Sequence, residues 1–367
     1  MDGTFFVDGK ARGPLNPLVI AELGTSHGGD PAKAREMAAA AAEAGADCVK
    51  LQMVFADEIL HPNTGEVPLP GGMIRLYDVF RKLESPPDFY AGIKEHVESL
   101  GLLFLCTPFG PKSAKMLREL RPKAVKVASP ELNFTDLLTD IAEWNLPVLL
   151  SSGVSTLGDI EEALGILGTG RTCLMHCVTA YPAPEEEYNL RVLRNLAAVF
   201  GVSVGVSDHS LDPELIPVLA LTQGAAAIEK HFCLSRDDPG LDDPIALPPR
   251  DFARMTAAVR QALNAGPAET LAALRLEHGP AKIEAVLGSG VKTLAGSERE
   301  NYSRTNRSLH ALRDIQPGET IGAGDFAALR TEKILRPGLP PSWAGRLLGR
   351  KAVRFIPTGE GIRFEDV

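Results

Sequence analysis

The sequence predicts a TIM (β/α)8 barrel over residues 1–266, a connector over 267–305 and a small β-rich domain over 306–367. Three observations carry that expectation. Eight short β-branched apolar runs alternate with eight stretches of helical spacing between Pro17 and about Gly266, the signature of repeated β–α units. Each run stays apolar almost to its end, as parallel strands covered by helices do. Past Gly266 the pattern changes to a helical and then polar connector, followed by turn-broken fragments such as SLHALRDI, QPGETI and AVRFIPTGEGI.

The strand candidates, in order, are 17–24, 48–54, 102–109, 124–131, 147–153, 172–178, 203–210 and 226–234. The helical candidates between them are Pro31–Ala44, Asp88–Leu100, Ser113–Leu120, Phe134–Trp144, Gly158–Leu167, Leu190–Phe200 and Pro213–Gln223, with Asp251–Asn264 closing the set. Gly45 and Gly101 stand where helices end, a position that favours glycine. The rival, a doubly wound open sheet, wants a glycine-rich phosphate turn after a strand, and no GxGxxG occurs in this region. The long segment Ala56–Pro87 after the second strand reads as an active-site loop.

Composition narrows the function. No apolar run approaches the ~18–20 residues of a membrane span, and the opening MDGTFFVDGKARG lacks a basic stretch followed by an apolar one. Both point to a cytoplasmic protein without a membrane partner. The five cysteines, Cys48, Cys106, Cys173, Cys177 and Cys233, are odd in number and sit in apolar strand-like surroundings. They read as buried thiols, not as disulfides or a zinc site. The net charge of −9 argues against nucleic acid, and it is uneven: residues 267–367 carry 15 Lys+Arg against 12 Asp+Glu, the rest 23 against 35. That split suggests two bodies.

Active sites of such barrels form at the carboxyl ends of the strands, and here nearly every strand ends in polar residues. The series runs Glu22; Lys50 and Gln52; Thr107; Lys126, Ser129 and Glu131; Ser151 and Ser152; Thr179 and Tyr181; Ser207, Asp208 and His209; Glu229, Lys230 and His231. Lysine is rarely buried without a partner. Lys50 and Lys126, each between apolar neighbours, therefore imply a buried anion, phosphate or carboxylate, with nearby hydroxyls as donors. A structural ion pair through Glu22 is the plainer alternative. His209 and His231 end adjacent strands, and two imidazoles plus waters suit a divalent ion of the Mn, Fe, Co or Mg class. His27 reads as a site-lining or loop-fixing residue and His176 as a core histidine. The whole suits a phosphorylated anionic substrate reacting with a carbonyl polarised by a divalent ion.

The ordered motifs IAELGTSHGG, VKLQ, CTPF, VKVASPEL, LSSGVS, MHCVTAYPAP, VGVSDHS and IEKHFCL resemble the sialic acid synthase family, which condenses phosphoenolpyruvate with N-acetylmannosamine or a related amino sugar. NRSLHALRDIQPGETI resembles the antifreeze-like (SAF) domain that follows the barrel in that family. The resemblance implies that His209 and His231 hold the metal, Mn or Mg with Co as a further candidate. It implies that Lys50, Thr107, Lys126, Ser129, Ser151, Thr179 and Ser207 hold phosphoenolpyruvate. Gln52, Tyr181, Asp242 and Arg307 would meet the sugar, with Arg307 acting in trans within a domain-swapped homodimer.

The chemistry that follows is attack of C3 of phosphoenolpyruvate on the open-chain aldehyde, addition of water at C2, and loss of phosphate by C–O cleavage. Glu22 is the candidate for handling that water, and Glu22, Lys50, Lys126, His209 and His231 form the expected catalytic set. The sequence departs from the family pattern at Ser26 and Thr179, each in place of an asparagine, at 70–72, which read PGG where an asparagine is usual, and at Gly240-Leu241-Asp242. Three of the four lie in or near the sugar pocket. The condensation is thus read more firmly than its acceptor: N-acetylmannosamine, its 6-phosphate, a legionaminate or pseudaminate precursor, or a sugar for surface polysaccharide. The alternatives are another TIM-barrel aldolase, with Lys126 as a Schiff-base nucleophile, and a non-catalytic sugar-binding relative.

Overall fold

The computed structural model describes residues 3–69, 72–332 and 334–367. Its centre is one eight-stranded parallel sheet: β1 (Leu18–Gly24), β2 (Cys48–Met53), β3 (Leu103–Pro108), β4 (Val125–Val127), β5 (Val148–Ser151), β6 (Thr172–Cys177), β7 (Ser203–Asp208) and β8 (Ala227–His231). Ladders join them in the order β3-β2-β1-β8-β7-β6-β5-β4, and β3 packs beside β4 to complete the ring. The helices α1 (Pro31–Glu43), α2 (Pro87–Ser99), α3 (Pro111–Glu119), α4 (Thr135–Glu143), α5 (Leu157–Leu167), α6 (Val192–Phe200), α7 (Leu215–Thr222) and α8 (Pro249–Ala265) lie outside. No helix among the described residues is long and apolar enough to cross a membrane.

Strand parity explains why these runs read as uniformly apolar. Successive side chains point to opposite faces, and both faces are buried. Val19, Ala21, Leu23, Val49, Leu51, Val125 and Val127 meet the helices in the outer core. Leu18, Ile20, Cys48, Leu105, Ala124, Leu149 and Ala227 fill the barrel interior. The same parity then sends Glu22, Lys50, Gln52, Lys126, Ser151, Ser207, Glu229 and His231 inward at the carboxyl ends. Gly205 on β7 has no room for a side chain, since a Cβ there would stand 2.6 Å from the Ala227 carbonyl and the Met175 sulfur.

The amino end of the barrel is covered by a hairpin, Phe5–Val7 with Lys10–Arg12, whose Phe5 and Val7 join the interior core. Its strands are three residues each, too short to register as periodicity. The loop Ala56–Pro87 carries a short helix (Ala56–Ile59), a small hairpin (Val67–Leu69 with Gly72–Ile74) and a helix (Leu76–Leu83). The fourth strand candidate shortens to three residues, and Ser129–Glu131 form a 3-10 turn after it, because Pro130 cannot donate to a ladder.

The connector begins with α9 (Pro267–His278) and α10 (Pro280–Leu287). Leu274, Ile283, Val286 and Leu287 belong to the barrel's own outer core. The last domain pairs β9 (Arg307–Ala311) with β10 (Phe326–Arg330) and is otherwise held by isolated bridges. It has a separate small core around Leu309, Ile315, Ile321, Leu347, Ile356 and Ile362.

Candidate active site

The carboxyl ends of the strands open into a cavity of about 490 Å³, lined on the barrel side by Glu22, Lys50, Gln52, Lys126, Ser129, Ser151, Thr179, Tyr181, Ser207, His209, Glu229, His231 and Asp242. At its base Lys50 Nζ lies 3.2 Å from Glu22 Oε1 and 3.3 Å from Glu229 Oε1. Lys126 Nζ donates to Ser151 Oγ at 2.7 Å and stands 3.6 Å from Glu229 Oε1. Ser207 Oγ donates to the same Glu229 oxygen at 2.9 Å, and Gln52 donates to Glu22 Oε1 at 2.8 Å. Every member of this cluster but Gln52 is at most 5% exposed. Leaving such charges unpaired would cost several kcal/mol per ion.

Both carboxylates keep a second oxygen, Oε2, buried and without a hydrogen-bond partner among the described residues. Natural sites rarely leave buried polar atoms unsatisfied, so these two oxygens mark where a ligand or its water would sit. The lysines' anion is supplied in part by the protein itself. The Lys50–Glu22 ion pair is present, and the cluster also faces an open cavity.

Surroundings drive the two carboxyls apart. Burial pushes Glu22 up, to about 6, although Lys50 opposes the rise. Burial would raise Glu229 too, but Lys126 and Lys50 hold it down, to about 2. Burial works against the charge on Lys50, yet Glu22 and Glu229 hold its pKa well above the ordinary value. Burial leaves Lys126 below its ordinary value. Asp242, on the loop after β8, is pushed up by burial to about 6.

His209 and His231 face the cavity with ring centroids 5.4 Å apart. His209 Nδ1 donates to the Val178 carbonyl at 2.8 Å, which leaves Nε2 turned to the cavity as the metal-binding nitrogen once it is deprotonated. Tyr181 stacks on its ring at 4.2 Å. His231 Nδ1 lies 3.7 Å from Asp242 Oδ2, and burial and His209 hold it well below its ordinary pKa. Burial works against charge on His209, but Cys177 and the Val178 carbonyl raise its pKa to about 9, so a cation at this point would have to displace a proton from it, whereas His231 is already neutral. The pair fits a divalent ion completed by water or substrate oxygen. Among the described residues no cluster of three or more His, Cys, Asp or Glu is arranged for a metal.

Two expected residues stand apart from the cavity wall. Thr107 points into the barrel by strand parity, level with Gln52 on the neighbouring strand, but is fully buried and does not line the cavity, and its Oγ1 has no partner among the described residues. Arg307 is the second. Its guanidinium is fully buried within its own chain, donating to Glu131 Oε1 at 2.8 Å and to the Phe109 carbonyl at 2.6 Å. Its cross-strand neighbour Arg330 donates to the same Glu131 oxygen at 2.7 Å, and it is Arg330 that lines the cavity. The register of the β9–β10 ladder makes this choice, because it sets the two arginines opposite each other over one acidic residue. Of the four departures, Thr179, Gly240, Leu241 and Asp242 line the cavity, Ser26 is buried in the first loop, and Pro70 and Gly71 lie outside the described residues.

His27 fixes a loop: its Nδ1 accepts from Gly29 N at 3.0 Å, and burial holds its pKa down, to about 4. His176 is a core residue whose Nε2 donates to the Tyr188 carbonyl at 2.6 Å. Asp208 and Lys230 pair with each other on the outer face at 2.5 Å. All five cysteines are free and buried.

Comparison with known proteins agrees with this geometry. Residues 37–268 match the NeuB family and residues 306–367 the SAF domain. The chain belongs to the NeuB family. It is 34% identical to the spore coat polysaccharide biosynthesis protein SpsE of Bacillus subtilis, covering 99% of this chain and 97% of that protein. It is 32% identical to the N,N'-diacetyllegionaminic acid synthase of Campylobacter jejuni, over 94% of this chain and 98% of the relative. The crystal structure of the Bacillus subtilis SpsE protein superposes with a TM-score of 0.82 at 33% identity, covering 99% of each chain. In this NeuB-family chain the β-rich domain after the connector is thus a SAF domain, and here it caps the mouth of its own barrel.

Proposed function

We propose that this chain condenses phosphoenolpyruvate with an N-acylated amino sugar to give a sialic-acid-type nonulosonate and phosphate. The observation that carries the reading is the buried Lys50–Glu229–Lys126 cluster, ringed by hydroxyls and set beside two oriented imidazoles in one cavity. Lys50 and Lys126 hold the donor's anionic groups, with Ser129, Ser151, Thr179, Ser207 and Thr107 as hydroxyl partners. Gln52, Tyr181 and Asp242 orient the sugar so that its open-chain aldehyde carbon meets C3 of the donor. A divalent ion such as Mn, Mg or Co, held by His209 and His231, would supply Lewis-acid polarisation of that aldehyde oxygen.

Attack by C3 leaves cationic character at C2. Glu22, poised near 6 with Oε2 free, positions water there and takes its proton. The tetrahedral C2 collapses by C–O cleavage, and the two lysines stabilise the departing phosphate. A homodimer with exchanged caps would keep the Arg307–Glu131 contact, since a swapped element makes the same contacts in a partner.

Phosphate release from phosphoenolpyruvate tests the proposal across N-acetylmannosamine, its 6-phosphate and 2,4-diacetamido hexoses. Release is expected with at least one acceptor, abolished by chelation and restored by Mn. Release without any acceptor, or full activity in chelator, would overturn it. A Schiff-base aldolase gains some support from the lowered pKa of Lys126, and borohydride trapping of substrate on Lys126 would decide for it.

A further inference from the structure

The connector grips the backbone of the two loops that carry Ser151 and Thr179. After β5 the chain turns through Ser152, Gly153 and Val154, all fully buried. Val154 sits at φ +42, a left-handed conformation in which a β-branched residue is strained. Such strain persists only where surroundings impose it, and here they are two connector side chains and Asn306, the first residue of the cap domain. Lys292 Nζ donates to the Ser152 carbonyl at 3.0 Å. Glu298 Oε1 accepts from Val154 N at 2.9 Å, and Asn306 Nδ2 donates to the Val154 carbonyl at 2.9 Å.

The same Glu298 oxygen accepts from Thr179 N at 2.7 Å, so one carboxylate ties the β5 and β6 loops together. They are pressed close: a Cβ on Gly153 would stand 2.0 Å from Thr179 Oγ1 and 2.9 Å from Ser129 Oγ, which itself accepts from Gly153 N at 3.0 Å. Glu298 is 1% exposed, and neither it, Lys292 nor Asn306 lines the cavity. Their grip falls on backbone atoms and has no direct route to a substrate.

We infer that Glu298, aided by Lys292 and Asn306, is a positioning residue: the connector must be docked for the β5 and β6 loops to hold their donor-binding conformation. This rests on the assignment of phosphoenolpyruvate to Lys126, Ser129, Ser151, Thr179 and Ser207. Coupling is reciprocal, so docking of the connector tightens donor binding, and the bound donor in turn secures the connector. The strained Val154 makes the arrangement two-state, because without Glu298 and Asn306 the loop relaxes to negative φ and carries Gly153 away from Ser129.

Calorimetric binding of phosphoenolpyruvate and steady-state kinetics on Glu298→Gln and Asn306→Ala test the inference in the full chain. In each variant the Kd and KM for phosphoenolpyruvate should rise by about tenfold or more, for the loss of one buried charged or neutral contact. The acceptor KM and the kcat at saturating donor should stay within about threefold. Val154→Gly in the Glu298→Gln background should recover part of the donor affinity, since glycine takes positive φ without strain. On the wild type, hydrogen exchange over residues 290–306 should slow when phosphoenolpyruvate alone is added, which needs no variant to fold. Unchanged donor affinity in both variants, or equal losses for donor and acceptor, would overturn the inference, as would exchange indifferent to the donor. A wild type that does not bind phosphoenolpyruvate would instead overturn the donor assignment.

Discussion

Glu22 and Glu229 stand on neighbouring strands, share Lys50, and are driven in opposite directions by what surrounds them. Glu229, ionised far below neutrality, serves as the fixed counter-charge, whereas Glu22 titrates where a base is useful. The reaction needs Glu22 ionised, so kcat/KM should fall as pH drops below about 6 and level off above it. In Glu22→Gln the rate should drop by about 10²-fold or more, and that acid limb should vanish. A limb that persists in the variant belongs to Asp242, also pushed up to about 6, or to the substrate phosphate. Most site residues were legible one by one, because each ends a strand on the inward parity. Glu229 carries the same signal, two residues before His231 in IEKHF, with Lys230 facing out between them. Its central role stayed hidden because sequence adjacency makes Glu229 and Lys230 look alike, while parity separates them.

At the scale of elements, the latch between cap and barrel is one buried carboxylate serving two arginines. Glu131, on the turn after β4, accepts from Arg307 and Arg330, while Arg307 also reaches the carbonyls of Phe109, Ala328 and Glu58. Removing one partner of a buried pair costs about 3–5 kcal/mol. Arg307→Ala should therefore loosen the cap, seen as a lower Tm and faster proteolysis within 306–367, with the barrel intact. An unchanged Tm and cleavage pattern would mean that the latch carries no weight. Barrel strands and helices were legible because two buried faces give unbroken apolar runs and glycines mark helix ends. The cap latch was not, since it depends on cross-strand register and on contacts between residues over 170 positions apart.

For the whole molecule, the acidic barrel and mildly basic tail prove to be two bodies in contact, with cap arginines meeting a barrel carboxylate. The boundary is later than composition alone suggests: α9 and α10 bury Leu274, Ile283, Val286 and Leu287 in the barrel's core. Truncation after Gly288 should leave a folded barrel that has lost both the connector clamp and the cap, with kcat/KM down by about 10²-fold or more. A cut before α10 should unfold it by opening that core. Normal turnover after the Gly288 cut would remove the cap from the account. The central claim is a carbon–carbon condensation that ends in C–O cleavage of phosphoenolpyruvate. It is tested most directly with donor carrying 18O in the bridging position, turned over with an amino-sugar acceptor. The released phosphate should retain the label; unlabelled phosphate, which requires P–O cleavage, would contradict condensation with C–O cleavage.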